Sequence, residues 1–273
     1  MSWTAVRVTP SGARDDVVAV LFAAGAQAVH DDGASIVTHF PPGADLDEVR
    51  AALAAADANA TVSIAPTPSV DWSQAWKEGL VAHEAGGFTV APPWLARELD
   101  PATTIVIDPG MAFGTGDHPT TRGVLRLMRP VLRAGDAVAD LGAGSAVLSI
   151  AAARLGASRV AAVELDADAI GNAEANVARN GVASAVQVIQ GDASLLLPLV
   201  APVRLILANI ISSVLLRLLP TMAQALVPDG HAIVSGILFD ERDMMLGALE
   251  SSGWQVDAED REDVWWSATV SRR

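Results

Sequence analysis

Hydrophobic and polar positions change rhythm along this chain, and the changes divide it. "WTAVRVT" alternates as a strand does, and "ARDDVVAVLFAAG" carries apolar residues at helical spacing with Gly25 as its stop. "AQAVHDD" and "ASIVTHF" flank Gly33 as a hairpin. "DLDEVRAALAAA" reads as a second helix opened by Asp45, and "ATVSIAP" as a last strand. The order β-α-β-β-α-β predicts a small α+β ferredoxin-like domain over residues 1–67. It contains no clustered carboxylates, nucleophile–base pair or glycine cradle. It therefore reads as a recognition module or as a structural appendage.

Pro66 and Pro68 mark a boundary, and residues 68–100 read as a linker helix followed by connecting strands. In "DWSQAWKEGL", Trp72 and Trp76 stand one helical turn apart, a spacing that suits packing between domains better than ligand stacking. "GGFTVAPPW" and "TTIVIDPG" are short strands leading onward. Over residues 101–273 apolar runs alternate with amphipathic stretches, the pattern of a parallel sheet covered on both faces. Its strands are "DAVADL", "RVAAVEL", "AVQVIQGD", "VRLILANI" and "HAIVSGIL". Helices are predicted to start near Ala146, Ala167 and Ser212, and another covers "DERDMMLGALESSG". Gly181 reads as a helix C-cap, and "WQVDAEDRED" with "VWWSATVSR" as a terminal antiparallel pair.

In open α/β sheets, ligands sit beyond the carboxyl ends of the strands, near the point where strand order reverses. Four consecutive strands here end in polar residues: Asp140, Glu164, Asp192 and Asn209. Asp140 and Asp192 taken singly are equally readable as helix N-caps. Gly142 and Gly144 let the backbone approach a ligand and turn sharply into a helix. Glu164, 22 residues after Gly142, is placed to accept both hydroxyls of a ribose, and Asp192 to accept from an adenine amino group. A dinucleotide fingerprint requires a third glycine, and Val147 stands in its place. Asp140 under the turn would repel a pyrophosphate but suits a cationic ligand. S-adenosyl-L-methionine, with a sulfonium and an ammonium and no phosphate, is the cofactor these residues predict.

The stretch "IDPGMAFGTGDHPTTRGVL" lacks the Gly-Lys-Ser/Thr of a Walker loop. Pro119 suits the first turn of a helix with Asp117 or His118 as its cap. The two glycines, Phe113 and the threonine pair suggest a lid over the cofactor.

Composition changes the picture in two respects. Eighteen basic against 32 acidic residues give a net charge of −14 over 273 residues, which disfavours nucleic acid and favours a basic protein partner. The absence of cysteine excludes disulfides and thiolate metal sites, so no metal is expected. "MSWTAVRVTPSGARDD" has no signal-type apolar core, and apolar runs are broken before ~18 residues. A cytoplasmic protein without membrane contact is the expectation. No heptad or long apolar edge stands out, so a monomer is expected.

"DPGMAFGTGDHPTTR", "DLGAGSAVLSIAAARLGA", "LANI" and "VSGIL" resemble the bacterial ribosomal protein L-eleven methyltransferase family, and so does "DWSQAWKEGL…FTVAPPW". The likeness covers roughly residues 68–270 by motif, and the N-terminal module by topology. It implies a Rossmann-like, seven-stranded class I methyltransferase domain behind the small domain, which in that family recognises the ribosomal protein. It implies transfer of methyl groups to the N-terminal α-amine and to lysine amines of that protein. It places Thr121, Gly142, Glu164 and Asn209 against S-adenosyl-L-methionine, with Phe113 in the covering loop; the chemistry of methyl transfer to an amine in turn makes the Asn209 side-chain carbonyl the expected group to orient the neutral amine. The chain departs from the family in "GAGSA", where Ala146 replaces a glycine, and in "ELD", where Glu164 replaces an aspartate. The same chemistry on another protein's lysines, and an NAD(P)-dependent oxidoreductase, are the competing readings.

Overall fold

The computed structural model describes residues 3–12, 14–26, 28–66, 80–110 and 114–273. Phe113 and the pair Trp72 and Trp76 lie outside these residues. The chain divides into two compact units, Met1–Gly79 and Leu80–Arg273.

In the first unit, β1 (Thr4–Thr9), α1 (Arg14–Ala23), β2 (Val29–Asp32), β3 (Ser35–Phe40), α2 (Leu46–Ala56) and β4 (Thr61–Pro66) follow one another. The strands form an antiparallel sheet in the order β2-β3-β1-β4. The period-two pattern explains the packing. Val6 and Val8 of β1 and Ile36 and Phe40 of β3 are buried with Val17, Leu21, Val49 and Leu53 of the helices. The Asp45 carboxylate caps α2 by accepting from the Asp47 and Glu48 backbone N–H groups at 3.1 and 3.0 Å.

The second unit opens with β5 (His83–Ala85), β6 (Phe88–Ala91) and β7 (Thr104–Val106), which form a small sheet of their own. After α3 (Pro119–Met128) come β8 (Ala137–Leu141), α4 (Val147–Arg154), β9 (Arg159–Glu164), α5 (Ala167–Arg179) and β10 (Val186–Gln190). Then follow α6 (Ala193–Val200), β11 (Val203–Asn209), α7 (Ser212–Ala225), β12 (Leu226–Leu238), α8 (Arg242–Ser251), β13 (Trp254–Glu262) and β14 (Trp265–Arg272). The large sheet runs β10-β9-β8-β11-β12-β14-β13, with β14 antiparallel to both neighbours and the first five strands parallel. Strand β11 is buried along "VRLILA", as a central parallel strand must be. Leu205 and Leu207 face the core that holds Val138, Val160 and Ile150, whereas Ile206 and Ala208 face Leu215, Leu219, Met222 and Trp266. The order reverses at β8, whose neighbours are β9 and β11, and there the crevice opens.

Two elements depart from the sequence expectation. Strand β5 is three residues long and pairs with β6, too short for any period to show. Helix α6 reads "ASLLLPLV", whose leucine run has no polar phase and contains Pro198. The Asp192 cap starts it nonetheless, and Leu197 is the residue it buries. Among the described residues no helix is long and apolar enough to cross a membrane.

Candidate active site

A cavity of about 580 Å³ lies at the carboxyl ends of β8, β9 and β10. Leu141, Val163, Ile210 and Ile211 give it aliphatic walls, and Gly142, Glu164 and Asp192 supply backbone and carboxylates. Its floor follows from the glycine turn. Gly142 has φ 74°, and a Cβ there would come within 2.7 Å of Ile210 Cγ2. Gly144 is also left-handed, at φ 53°. Val163 carbonyl accepts from the N–H groups of Gly142 and Ala143 at 2.9 and 3.0 Å, tying the turn to β9.

Glu164 completes that tie. One carboxylate oxygen accepts from the Gly144 N–H at 2.8 Å and the other from the Asp166 N–H at 2.9 Å. Each oxygen retains a second lone pair, and the residue lines the cavity. Asp192 has two roles at once: it lines the cavity and caps α6, accepting from the Ser194 N–H at 2.8 Å. The Ser194 bonds hold its carboxyl below the usual range.

Asp140 is placed differently from the other strand-end residues. It is 1% exposed and does not line the cavity, because its side chain leaves β8 on the α4 side. There Oδ2 accepts from Ser149 Oγ at 2.6 Å, while Oδ1 has no hydrogen-bond partner among the described residues. Burial pushes its pKa up to about 6 against the opposing Ser149 bonds.

Asn209 ends β11, one strand from the glycine turn. Its Nδ2 donates to Thr121 Oγ1 of α3 at 3.4 Å. Thr121 is buried, and its helix is capped by His118, whose Nδ1 accepts from the Thr120 N–H at 3.4 Å and meets Thr120 Oγ1 at 2.7 Å. The His118 ring stands edge-on to Trp265 at 4.9 Å, and burial pushes its pKa down. Of the two expected caps, His118 takes the role.

A set of residues that the sequence reading missed holds the neighbouring loop. Asn172, Asn176 and Asn180 lie four apart on one face of α5 and its C-cap. Asn180 pairs with both backbone groups of Val106, at 2.9 and 2.7 Å. Asn176 accepts from the Asp108 N–H at 2.9 Å and donates to the carbonyls of Asp108 and Ser145, each at 3.2 Å. Asn172 adds a donor to Asp108 carbonyl at 3.0 Å. Ser145 Oγ donates in turn to Gly114 carbonyl at 2.6 Å. The Gly-Thr-Gly loop is thereby fastened to the glycine turn where it leaves and where it returns. The four-residue spacing of asparagine in "NAEANVARN" was the available signal.

The mixed sheet, the glycine turn at its reversal point and the carboxylate one strand over define a class I methyltransferase, whose cofactor is S-adenosyl-L-methionine. The residues fit that cofactor: a left-handed glycine turn, the acceptor carboxylates of Glu164 and Asp192 and aliphatic walls line one cavity, with Arg217 beside Asp192. The family model described as Ribosomal protein L11 methyltransferase (PrmA) matches residues 6–273. A ribosomal protein L11 methyltransferase of Pelotomaculum thermopropionicum is 41% identical over 223 residues, 81% of this chain and 71% of its own length. One from Lacticaseibacillus paracasei is 36% identical over 253 residues, 86% of this chain and 78% of its own. The crystal structure of a ribosomal protein L11 methylase from Lactobacillus delbrueckii subsp. bulgaricus superposes with a TM-score of 0.64 at 31% identity. It covers 71% of this chain and 100% of the solved one. The chain belongs to the ribosomal protein L11 methyltransferase family. Nothing supports the oxidoreductase reading.

Proposed function

We propose that the chain methylates ribosomal protein L11 at amines, its N-terminal α-amine and lysine side chains. The observation that carries the reading is that Asn209 and the glycine turn close neighbouring parallel strands at the reversal of strand order, Asn209 standing directly before Ile210 and Ile211 of the cavity wall. In this reading Gly142, Gly144, Glu164, Asp192 and Thr121 hold the cofactor, together with Phe113. Glu164 accepts from ribose hydroxyls and Asp192 from the adenine amino group. Asp140 acts from beneath the turn, its unpartnered oxygen favouring the cationic end of the ligand.

When bound, S-adenosyl-L-methionine supplies a methyl group on a sulfonium, and its departure needs no acid. The protein's task is to hold an uncharged amine in line, and such positioning is worth up to ~7–11 kcal/mol. Asn209 spends its N–H on Thr121, which leaves Oδ1 to accept from the amine and orient the nitrogen lone pair. A lysine in water has a pKa of about 10.4, and the aliphatic walls of the crevice favour its neutral form. His118 serves as the helix cap, with Nδ1 engaged there.

Residues 1–67 are proposed as a ferredoxin-like domain that recognises the ribosomal protein, with residues 68–100 as the connection and 101–273 as the seven-stranded catalytic domain. The element order of the first unit and the division of compact units after Gly79 support this assignment. The charge of −14 supports a basic protein rather than nucleic acid as the partner of a cytoplasmic monomer.

Calorimetric titration with S-adenosyl-L-methionine and, separately, with NADH tests the cofactor site, with Glu164→Ala as control. Saturation by the first alone, weakened in the variant, is expected; saturation by NADH overturns it. With purified L11 and methyl-labelled cofactor, Asn209→Ala is expected to lose about 100-fold in turnover. Near-normal turnover of that variant would remove Asn209 from the chemistry.

A further inference from the structure

Beyond Asn209 the crevice is bordered by a ridge that the cofactor reading leaves unused. Ser235 pairs with Asn209, and β12 continues three residues further to Leu238, a wall about 10 Å high. Three turns meet at its top. Phe239 N–H donates to Val264 carbonyl at 2.7 Å, joining the end of β12 to the β13–β14 turn. Glu241 accepts from Ser212 Oγ at 2.7 Å and from the Leu238 N–H at 3.1 Å, joining the same segment to the start of α7.

This bonded ridge presents apolar side chains to solvent: Leu238 is 38%, Phe239 36% and Val264 60% exposed. The Arg261 guanidinium lies 3.5 Å over the Phe239 ring and braces it. The neighbouring carboxylates of β13 are paired. Arg122 and Arg126 pair with Glu262 and Asp260, and Arg242 with Glu259. Asp240 and Asp263 stand exposed on the ridge itself. The strip is edged by the carboxylates of Asp240 and Asp263 against the single cation of Arg261, and this net negative edge beside an amine-methylating crevice is complementary to a cationic, partly apolar peptide surface.

We propose that this ridge docks the cationic segment of the protein substrate that carries the target amine. Apolar side chains of that segment pack on Leu238, Phe239 and Val264, and its flanking cations face Asp240 and Asp263. The proposal rests on the reading of the chain as a protein methyltransferase.

The test uses the full chain, purified L11 as acceptor and labelled S-adenosyl-L-methionine. Two double variants are compared with the wild type, Phe239→Ser with Val264→Ser and Asp240→Lys with Asp263→Lys. Each is first shown to melt cooperatively and to bind S-adenosyl-L-methionine as the wild type does. Both are expected to raise KM for L11 at least fivefold while kcat at saturation stays within twofold. The lysine variant keeps the test decisive should the serine variant fold poorly. An unchanged KM in a folded variant, with normal wild-type turnover, overturns the ridge alone. So does a serine variant that loses self-association in sedimentation while KM stays put, since the ridge is then a contact between copies. No transfer to L11 by the wild type overturns the substrate reading, and the ridge falls with it.

Discussion

Ala146 and Gly142 occupy left-handed backbone four residues apart, at φ 66° and 74°, and the same methyl group has different consequences at each. An L side chain there costs about 1–2 kcal/mol. At Ala146 the cost is offset by a fully buried methyl, ~0.8 kcal/mol, and by the smaller entropy of an unfolded alanine, ~0.4–1 kcal/mol. Ala146→Gly is therefore expected to stay within about 1 kcal/mol of the wild type. Gly142→Ala shares the entropy offset, but its methyl meets Ile210 Cγ2 instead of filling space, so a loss of ~1–3 kcal/mol is expected, with weakened cofactor binding. Denaturant midpoints and titration of S-adenosyl-L-methionine check both. Asp140 adds a pH dependence. Its folded pKa is raised to about 6 by burial, so the native state keeps a proton that the unfolded chain releases. Its contribution to stability is full below about pH 4 and is lost as pH rises through 6. Asp140→Asn, which keeps a partner for Ser149, should gain stability over the wild type across that window and hold the gain above it. Urea unfolding at intervals of pH tests this, and a flat difference refutes it. That Asp140, Glu164, Asp192 and Asn209 stand within two residues of the ends of their strands was legible, from the polar residue that closes each apolar run. Which face Asp140 takes was not, because the buried strand β8 is apolar on both sides and carries no alternation.

At the scale of elements, helix α5 fixes the loop beside the cofactor cavity more firmly than any feature of the loop itself. Asn176 is fully buried and satisfies three backbone groups. Asn176→Ala orphans the Asp108 N–H and the Ser145 carbonyl, while the Asp108 carbonyl keeps its bond from Asn172, and at ~1–3 kcal/mol for each unsatisfied group a loss of at least 2 kcal/mol is expected. KM for the cofactor should rise as well, since the freed carbonyl belongs to Ser145 of the glycine turn. Asn172→Ala removes a bond that Asp108 carbonyl also receives from Asn176, so it should cost less than 1 kcal/mol. Equal losses in the two variants, read from urea midpoints, would contradict this ordering. The sequence displayed helices with a polar phase and a cap clearly, such as α2 behind Asp45 and α5 behind Asp166. It concealed α6, where leucines occupy every phase and only Leu197 is buried. The asparagine ladder escaped notice for a related reason: asparagine on a helix ordinarily signals exposure, and here it pairs with Val106 of β7 and with Asp108 just beyond it, 74 and 68 residues earlier.

For the whole molecule the relevant quantities are charge and strand order. A chain of net charge −14 that acts on a basic protein should show kcat/KM falling as salt rises, by way of association rather than turnover. Measurement of kcat/KM and kcat on L11 over a range of ionic strength separates these, and a salt-independent kcat/KM counts against the charge-based choice of partner. Strand order was only half legible: alternation gave the parallel part, but the position of β14 between β12 and β13 depends on pairings far apart in the chain. That position bears on how the protein is made. Synthesis reaches Leu238 34 residues before Arg272, and at 5–20 residues per second the edge of β12 waits roughly 2–7 s for its neighbour. A long apolar edge waiting for that time is a place where nascent chains pair with each other. Slow codons over the terminal hairpin would lengthen the wait and lower the soluble yield, with no change in the finished enzyme.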